Sequence, residues 1–192
     1  MNPALALLEF GSIAVGVEAG DAMVKQAPVE TVTGGTVHPG KYLVQVTGDV
    51  ASVEEAVTAG RRVGGAALLG LVYLPDVHPG VVAAAAGLRN PPRGDAIGVV
   101  ETRHVHSAIA AADAGVKGAS VTILELGMAD GLGGKGFVVF NGDVADVQAA
   151  ATIGAERVEP GHLVAQVVIP QMHPEMVANL TAGSRFNDLT GG

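Results

Sequence analysis

Gly20-Asp21-Ala22-Met23-Val24-Lys25 and Ala112-Asp113-Ala114-Gly115-Val116-Lys117 are one helical phrase written twice, at an offset of 92 residues (113 − 21). At the same offset Ala27 falls on Ala119 and Val29 on Val121, and Ala6-Leu7-Leu8-Glu9 opens the first half as Gly98-Val99-Val100-Glu101 opens the second. Two extra residues in the second half bring Lys41 onto Lys135 and Gly48-Asp49-Val50-Ala51 onto Gly142-Asp143-Val144-Ala145. One more aligns Pro75 with Pro170 and His78-Pro79 with His173-Pro174. Matches in this order along the whole length mark a tandem duplication. The break between copies is Leu88-Arg89-Asn90-Pro91-Pro92-Arg93-Gly94, a Pro/Gly linker. The domains are therefore expected at residues 1–90 and 91–192, with the linker spanning about 88–96 and a mobile tail at 184–192.

Each copy carries the same pattern. An apolar run, Leu5 to Phe10 or Ile97 to Thr102, reads as a buried strand. Ser12 opens a helix whose positions Ile13, Val17, Gly20, Val24 and Ala27 recur at helical spacing, and Pro28 ends it. A second strand is expected to lead into a Gly-rich loop, Gly34 to Gly40 or Gly127 to Gly134. A third strand, Tyr42 to Val46 or Phe137 to Phe140, stops at a Gly-Asp turn. A second helix follows at Val53 to Val63 or Val147 to Val158, then a fourth strand at Leu68 to Leu74 or Leu163 to Ile169. Pro79 and Pro174 suit the first turn of a short last helix. The order β-α-β-β-α-β-α predicts an α+β chain of two tandem ferredoxin-like units, each with one added helix.

Composition narrows the function. The net charge is −8 with no Lys/Arg cluster, which argues against a nucleic-acid partner. The chain has no cysteine, so disulfides and thiolate-held clusters are excluded and a cytosolic setting fits. The longest apolar run, Ala66 to Leu74, is far too short to span a bilayer. Aromatic residues make up only 3% of the chain, so Ala, Val, Leu and Ile must build the core. A half-chain unit of such small residues is marginal alone, and association is the natural remedy.

The repeated Asp-Ala…Lys helices, the strand Val100-Glu101-Thr102, the turns Gly48-Asp49-Val50 and Gly142-Asp143-Val144, and the ending Ile169-Pro170-Gln171-Met172-His173-Pro174 resemble those of bacterial microcompartment shell proteins of the tandem-domain, trimer-forming class. The element order is the family's unpermuted one. Thr36-Val37-His38-Pro39-Gly40-Lys41 and Met128-Ala129-Asp130-Gly131-Leu132-Gly133-Gly134-Lys135 are similar to the two pore loops of the subtype from propanediol-utilising compartments. The resemblance implies a homotrimer with pseudo-sixfold symmetry, tiling beside other shell proteins around encapsulated enzymes in the bacterial cytoplasm. It also implies that Val37, His38, Pro39, Gly40, Asp130, Gly131, Leu132, Gly133 and Gly134 line a central pore, and that Lys25, Lys117, His78 and His173 lie at the tile edge. Two departures stand out. The subtype has cysteine where this chain has His38, so its cysteine-ligated iron–sulfur cluster is not expected. Many members have Arg after the Ile-Pro ending, where this chain has Asp76 and Gln171.

Several residues admit a chemical reading beside a plainer one. Three His38 imidazoles converging on a threefold axis would suit Zn²⁺, Cu or Ni, and would change charge near pH ~6.5; the plainer reading is a solvated rim histidine. The Asp130-to-Gly134 stretch offers negative charge and free amides to a polar metabolite, or is simply a hairpin loop; it leads to a strand, not the helix a phosphate loop needs. Glu9 and Glu101 point to an inter-subunit salt bridge before acid–base chemistry. His78 and His173 suit capping or edge packing. His104 and His106, read as i and i+2 of a helix start, face apart and make a poor metal pair. No nucleophile elbow is present, so an enzyme ranks last. A structural tile passing a metabolite or cofactor leads, with no resident cofactor. A metal-bearing or redox tile using His38, and a small-molecule-binding trimer that never tiles, are the alternatives.

Overall fold

The computed structural model describes residues 3–182; the tail expected at 184–192 lies outside them. The first copy comprises β1 (Ala4–Phe10), α1 (Ile13–Gln26), β2 (Thr31–Val37), β3 (Lys41–Gly48), α2 (Val50–Gly64), β4 (Leu68–Leu74) and α3 (Pro79–Ala85). The second comprises β5 (Ala96–Thr102), α4 (Val105–Gly118), β6 (Thr122–Met128), β7 (Gly136–Gly142), α5 (Val144–Glu156), β8 (Leu163–Ile169) and α6 (Pro174–Ala182). The expected order is thus found in both halves. Each copy forms one antiparallel sheet, ordered β2-β3-β1-β4 and β6-β7-β5-β8, the split βαβ arrangement.

Local chemistry sets the helix starts. Ser12 and Asp49 cap α1 and α2 by accepting from the Val15 and Ser52 amides. The Asp49 cap starts α2 at Val50, earlier than the expected Val53. A second difference lies in the glycines. Gly34, Gly35 and Gly127 belong to strands and not to loops. A Cβ on Gly127 would sit 2.1 Å from the Phe137 ring, and one on Gly34 would sit 3.0 Å from the Tyr42 hydroxyl. Gly34 and Gly127 admit a cross-strand aromatic ring, and none of the three turns the chain.

β1 shows how the copies join. All seven of its residues are buried, because both faces of the strand are covered. Ala4, Ala6, Leu8 and Phe10 pack with Met23, Val53 and Ala56 of the first copy's own helices. Leu5 and Leu7 face the other way, into a core with Val72, Leu74 and Val81 of the first copy and Val105, Ile109, Ile123 and Phe140 of the second. The two repeats are therefore one packed body in the chain. The linker is tied down as well. Asn90 donates to the Ile123 carbonyl, Arg89 to Glu125 and to the Leu180 carbonyl, and the Arg93 and Gly94 amides donate to Asn141.

Candidate functional site

The two loops expected at the rim come from different copies and meet. β2 and β3 are joined by a turn at His38, Pro39 and Gly40, where Gly40 takes φ +98°. β6 and β7 are joined through Ala129 to Lys135, with Gly131, Gly133 and Gly134 all at positive φ. Only glycine adopts such a run of turns cheaply. His38 Nδ1 lies 3.1 Å from Asp130 Oδ1, and both side chains are exposed. Val37, His38, Gly40 and Asp130 share one shallow recess of about 250 Å³ with Thr36. Leu132 is half-buried and Gly133 exposed. Gly134 is buried: its carbonyl accepts from Lys41, and a Cβ there would sit 2.9 Å from Pro39.

A second constellation lies where the two copies join. Glu9, at the end of β1, is fully buried and accepts from Lys41 (2.5 Å) and from the Val105 amide (3.1 Å). His104 Nδ1 and His106 Nδ1 lie 3.3 and 3.1 Å from its two oxygens. Burial alone would raise the Glu9 pKa. Hydrogen bonds from His106 and Lys41, with the Lys41 charge, outweigh it and hold the carboxyl at about 2, below its ordinary 4.5. Burial lowers the His104 pKa, opposed by its bond to Glu9. His162 joins the group, its ring centroid 4.5 Å from that of His104 and 5.6 Å from that of His106.

Two expectations change here. Glu9 spends its oxygens inside the chain, on its own copy and on the other, and Glu101 pairs with Lys135 at 2.6 Å. His104 and His106 do approach each other, with ring centroids 5.2 Å apart. His104 is the extended cap residue before α4 (φ −136°, ψ 147°), so the rule for faces of a helix does not govern the pair. One signal in the sequence marks them: Ser12 and Ala14 occupy the same positions in the first copy. His162, against Ala67, is marked the same way.

The four expected edge residues take different places. Lys25 is exposed and pairs with Asp21 one helical turn back. Lys117 pairs likewise with Asp113 but also donates to the Asp76 carbonyl of the first copy. Asp113 in turn accepts from the His78 amide at 2.8 Å. His78 caps α3, its Nδ1 accepting from Gly80. His173 is exposed near Glu175.

Comparison with known proteins agrees with this architecture. The BMC domain family matches twice, at residues 4–84 and 96–172. The bacterial microcompartment shell protein PduT of Citrobacter freundii is 41% identical over 184 residues, covering 95% of this chain and all of that one. The carboxysome shell protein CcmK2 of Thermosynechococcus vestitus is 36% identical over 84 residues, 42% of this chain and 80% of its own. The crystal structure of a microcompartment protein from Desulfitobacterium hafniense superposes with a TM-score of 0.82 at 40% identity, covering 92% of this chain and 98% of that one. With two matched domains and a full-length relative, the chain belongs to the bacterial microcompartment shell proteins, as a tandem of two BMC domains.

Proposed function

We propose that this shell component works as a head-to-tail trimer whose six domains form one pseudohexagonal tile. A central opening would be ringed by His38-Pro39-Gly40 and Asp130-to-Gly134. One observation carries this reading. The junction inside the chain buries α4 against β4, and the corresponding faces at the two ends of the chain are bare. Val105 and Ile109 on α4 are fully buried, whereas Ile13 and Val17, their α1 counterparts, are 44% and 52% exposed. Val72 on β4 is buried, whereas Val167 on β8 is 49% exposed, beside exposed Leu163 and Val164. Seating β8 of one chain on α1 of the next repeats the internal junction and buries both patches. A heterologous contact of this kind closes into a ring when its rotation divides the circle, here into six domains. Light scattering should give the mass of three chains. Val17→Asp with Val167→Asp should give monomers that keep their circular-dichroism spectrum; an undisturbed trimer would overturn the assignment.

In this tile Lys25, Lys117, His78 and His173 face lateral neighbours, either copies of itself or other shell proteins, around encapsulated enzymes. The role is structural, with small polar metabolites passing the rim and no reaction catalysed. Because Lys117 also ties the copies together, Lys25→Asp is the cleaner edge variant. It should leave the trimer intact and abolish sheets in electron micrographs; sheets of ordinary extent would remove Lys25 from the edge. The rim has no thiolate and does not fit an iron–sulfur cluster. A second reading, a metal ion on the axis, is favoured by the Asp130 oxygen 3.1 Å from His38 Nδ1, a carboxylate placed to orient and activate a ligating imidazole.

A further inference from the structure

We propose that His106, His162 and Glu159 form a binding site for a divalent transition metal of the zinc class at the junction between the two copies, away from the rim, with Glu9 positioning the His106 ring. The reasoning starts from His106, which is 2% exposed. Glu9 already accepts hydrogen bonds from the Lys41 ammonium and the Val105 amide, so the carboxylate is an acceptor and His106 Nδ1 is the donor to it. In the neutral ring Nε2 then carries the lone pair. This atom is buried, and among the described residues no donor reaches it. A buried acceptor without a donor is a cost that proteins rarely leave standing. A carboxylate–imidazole pair with the far nitrogen free is the arrangement in which histidine ligates metals.

The neighbours supply the rest. One ligand atom from each of His106, Glu159 and His162 can be chosen so that all three lie within 4.8 Å of one another. Ligation at about 2.0–2.2 Å requires some closing of that triangle. Glu159, with its side chain 63% exposed, has the freedom to provide it. His162 is steadied by Ser107, 3.1 Å from its Nδ1. His106 and Glu159 border a recess of about 200 Å³, with Arg157 at its exposed edge, which leaves room for water at the remaining coordination positions. Two imidazoles and one carboxylate suit Zn²⁺, Co²⁺ or Ni²⁺ and not Mg²⁺ or Ca²⁺. The other candidate triad, Glu9 with His104 and His106, already holds the Lys41 ammonium against its carboxylate.

The scaffold does not impose this cluster. Gly11 donates to the Ala67 carbonyl as Arg103 does to that of His162, so Ala67 is the counterpart of His162. Ser12 and Ala14 are the counterparts of His104 and His106. The space for the ring is also particular to this junction: a Cβ on Gly70 of β4 would lie 2.3 Å from His106 Cε1. The site therefore belongs to the intrachain junction and not to the chain-to-chain one. The inference is a property of the chain and does not depend on tiling.

The test uses the full chain without a polyhistidine tag, stripped with chelator, in a His38→Ala background so that the rim contributes no ligand. Zn²⁺ is titrated against a chromophoric chelator, and Co²⁺ is followed by its visible absorption. The expected result is one equivalent per chain, with affinity lowered by at least about tenfold in His162→Ala and in Glu159→Gln. Both positions are peripheral enough to leave the fold intact, which circular dichroism checks. Absence of stoichiometric binding, or binding unchanged in both variants, overturns the site.

Discussion

Lys41→Met is expected to destabilise the chain by about 3–5 kcal/mol at neutral pH, although it removes only one side chain and leaves the volume nearly filled. The reason is Glu9. Its carboxylate is fully buried between β1 and the start of α4, and Lys41 is the ammonium in contact with it. Without Lys41 the buried carboxylate loses the ammonium that offsets its charge. Glu9→Gln together with Lys41→Met should recover much of the loss, since no charge is then buried. The same group predicts an acid dependence. Its folded pKa, about 2, lies below the ordinary 4.5. The stabilisation is fully present above pH 4.5, and it is lost as pH falls from there through about 2. From the shift it amounts to about 3 kcal/mol. Urea unfolding at fixed protomer concentration, at pH 7 and pH 3, measures both effects. Glu9→Gln should lose this acid-dependent part. A Lys41→Met chain as stable as the parent would show that Glu9 is not held as a buried anion.

The duplication made the fold legible. Once Asp21 and Lys25 were placed on Asp113 and Lys117, every strand and helix of one half checked its counterpart. The errors have physical causes. Gly34 and Gly127 read as turn residues because a sequence shows the missing side chain but not the ring that needs the space, here Tyr42 and Phe137. His104 and His106 read as opposed because the first was counted as helical; it is the extended cap. Glu9 reads as an inter-subunit partner because its histidine and Val105 partners lie nearly a hundred positions away, in a copy whose orientation no spacing reveals. Differences between the repeats carry the remaining information. The positions that are Ser12, Ala14 and Ala67 in one copy and His104, His106 and His162 in the other mark where the internal junction departs from its scaffold. The rim loops, which also differ between copies, meet through His38 and Asp130.

Asn141→Ala should be the second severe substitution, at about 3 kcal/mol or more, because it unfastens the linker between the copies. Asn141 is fully buried. Its Oδ1 accepts from the Arg93 and Gly94 amides at 2.6 and 3.2 Å, and its Nδ2 donates to the Gly94 and Ala96 carbonyls at 2.7 and 2.9 Å. One side chain thus satisfies four linker groups, and alanine leaves them without those partners. The linker cannot shift inward to find others: a Cβ on Gly94 would already lie 2.4 Å from the Gly142 carbonyl oxygen. In the first copy the matching position is Thr47, whose hydroxyl bonds that of Thr31 across its sheet. Asn141 is therefore specific to the join. Asn141→Asp should be at least as damaging, since it keeps the acceptors but turns an oxygen toward two carbonyls. Unfolding in urea measures the loss, and limited proteolysis between residues 88 and 96 should accelerate. Ring closure needs each internal junction to hold its angle, so the trimer fraction in light scattering should fall as well. Unchanged proteolysis with a loss below about 1 kcal/mol would assign the linker's hold to Arg89 and Asn90 instead.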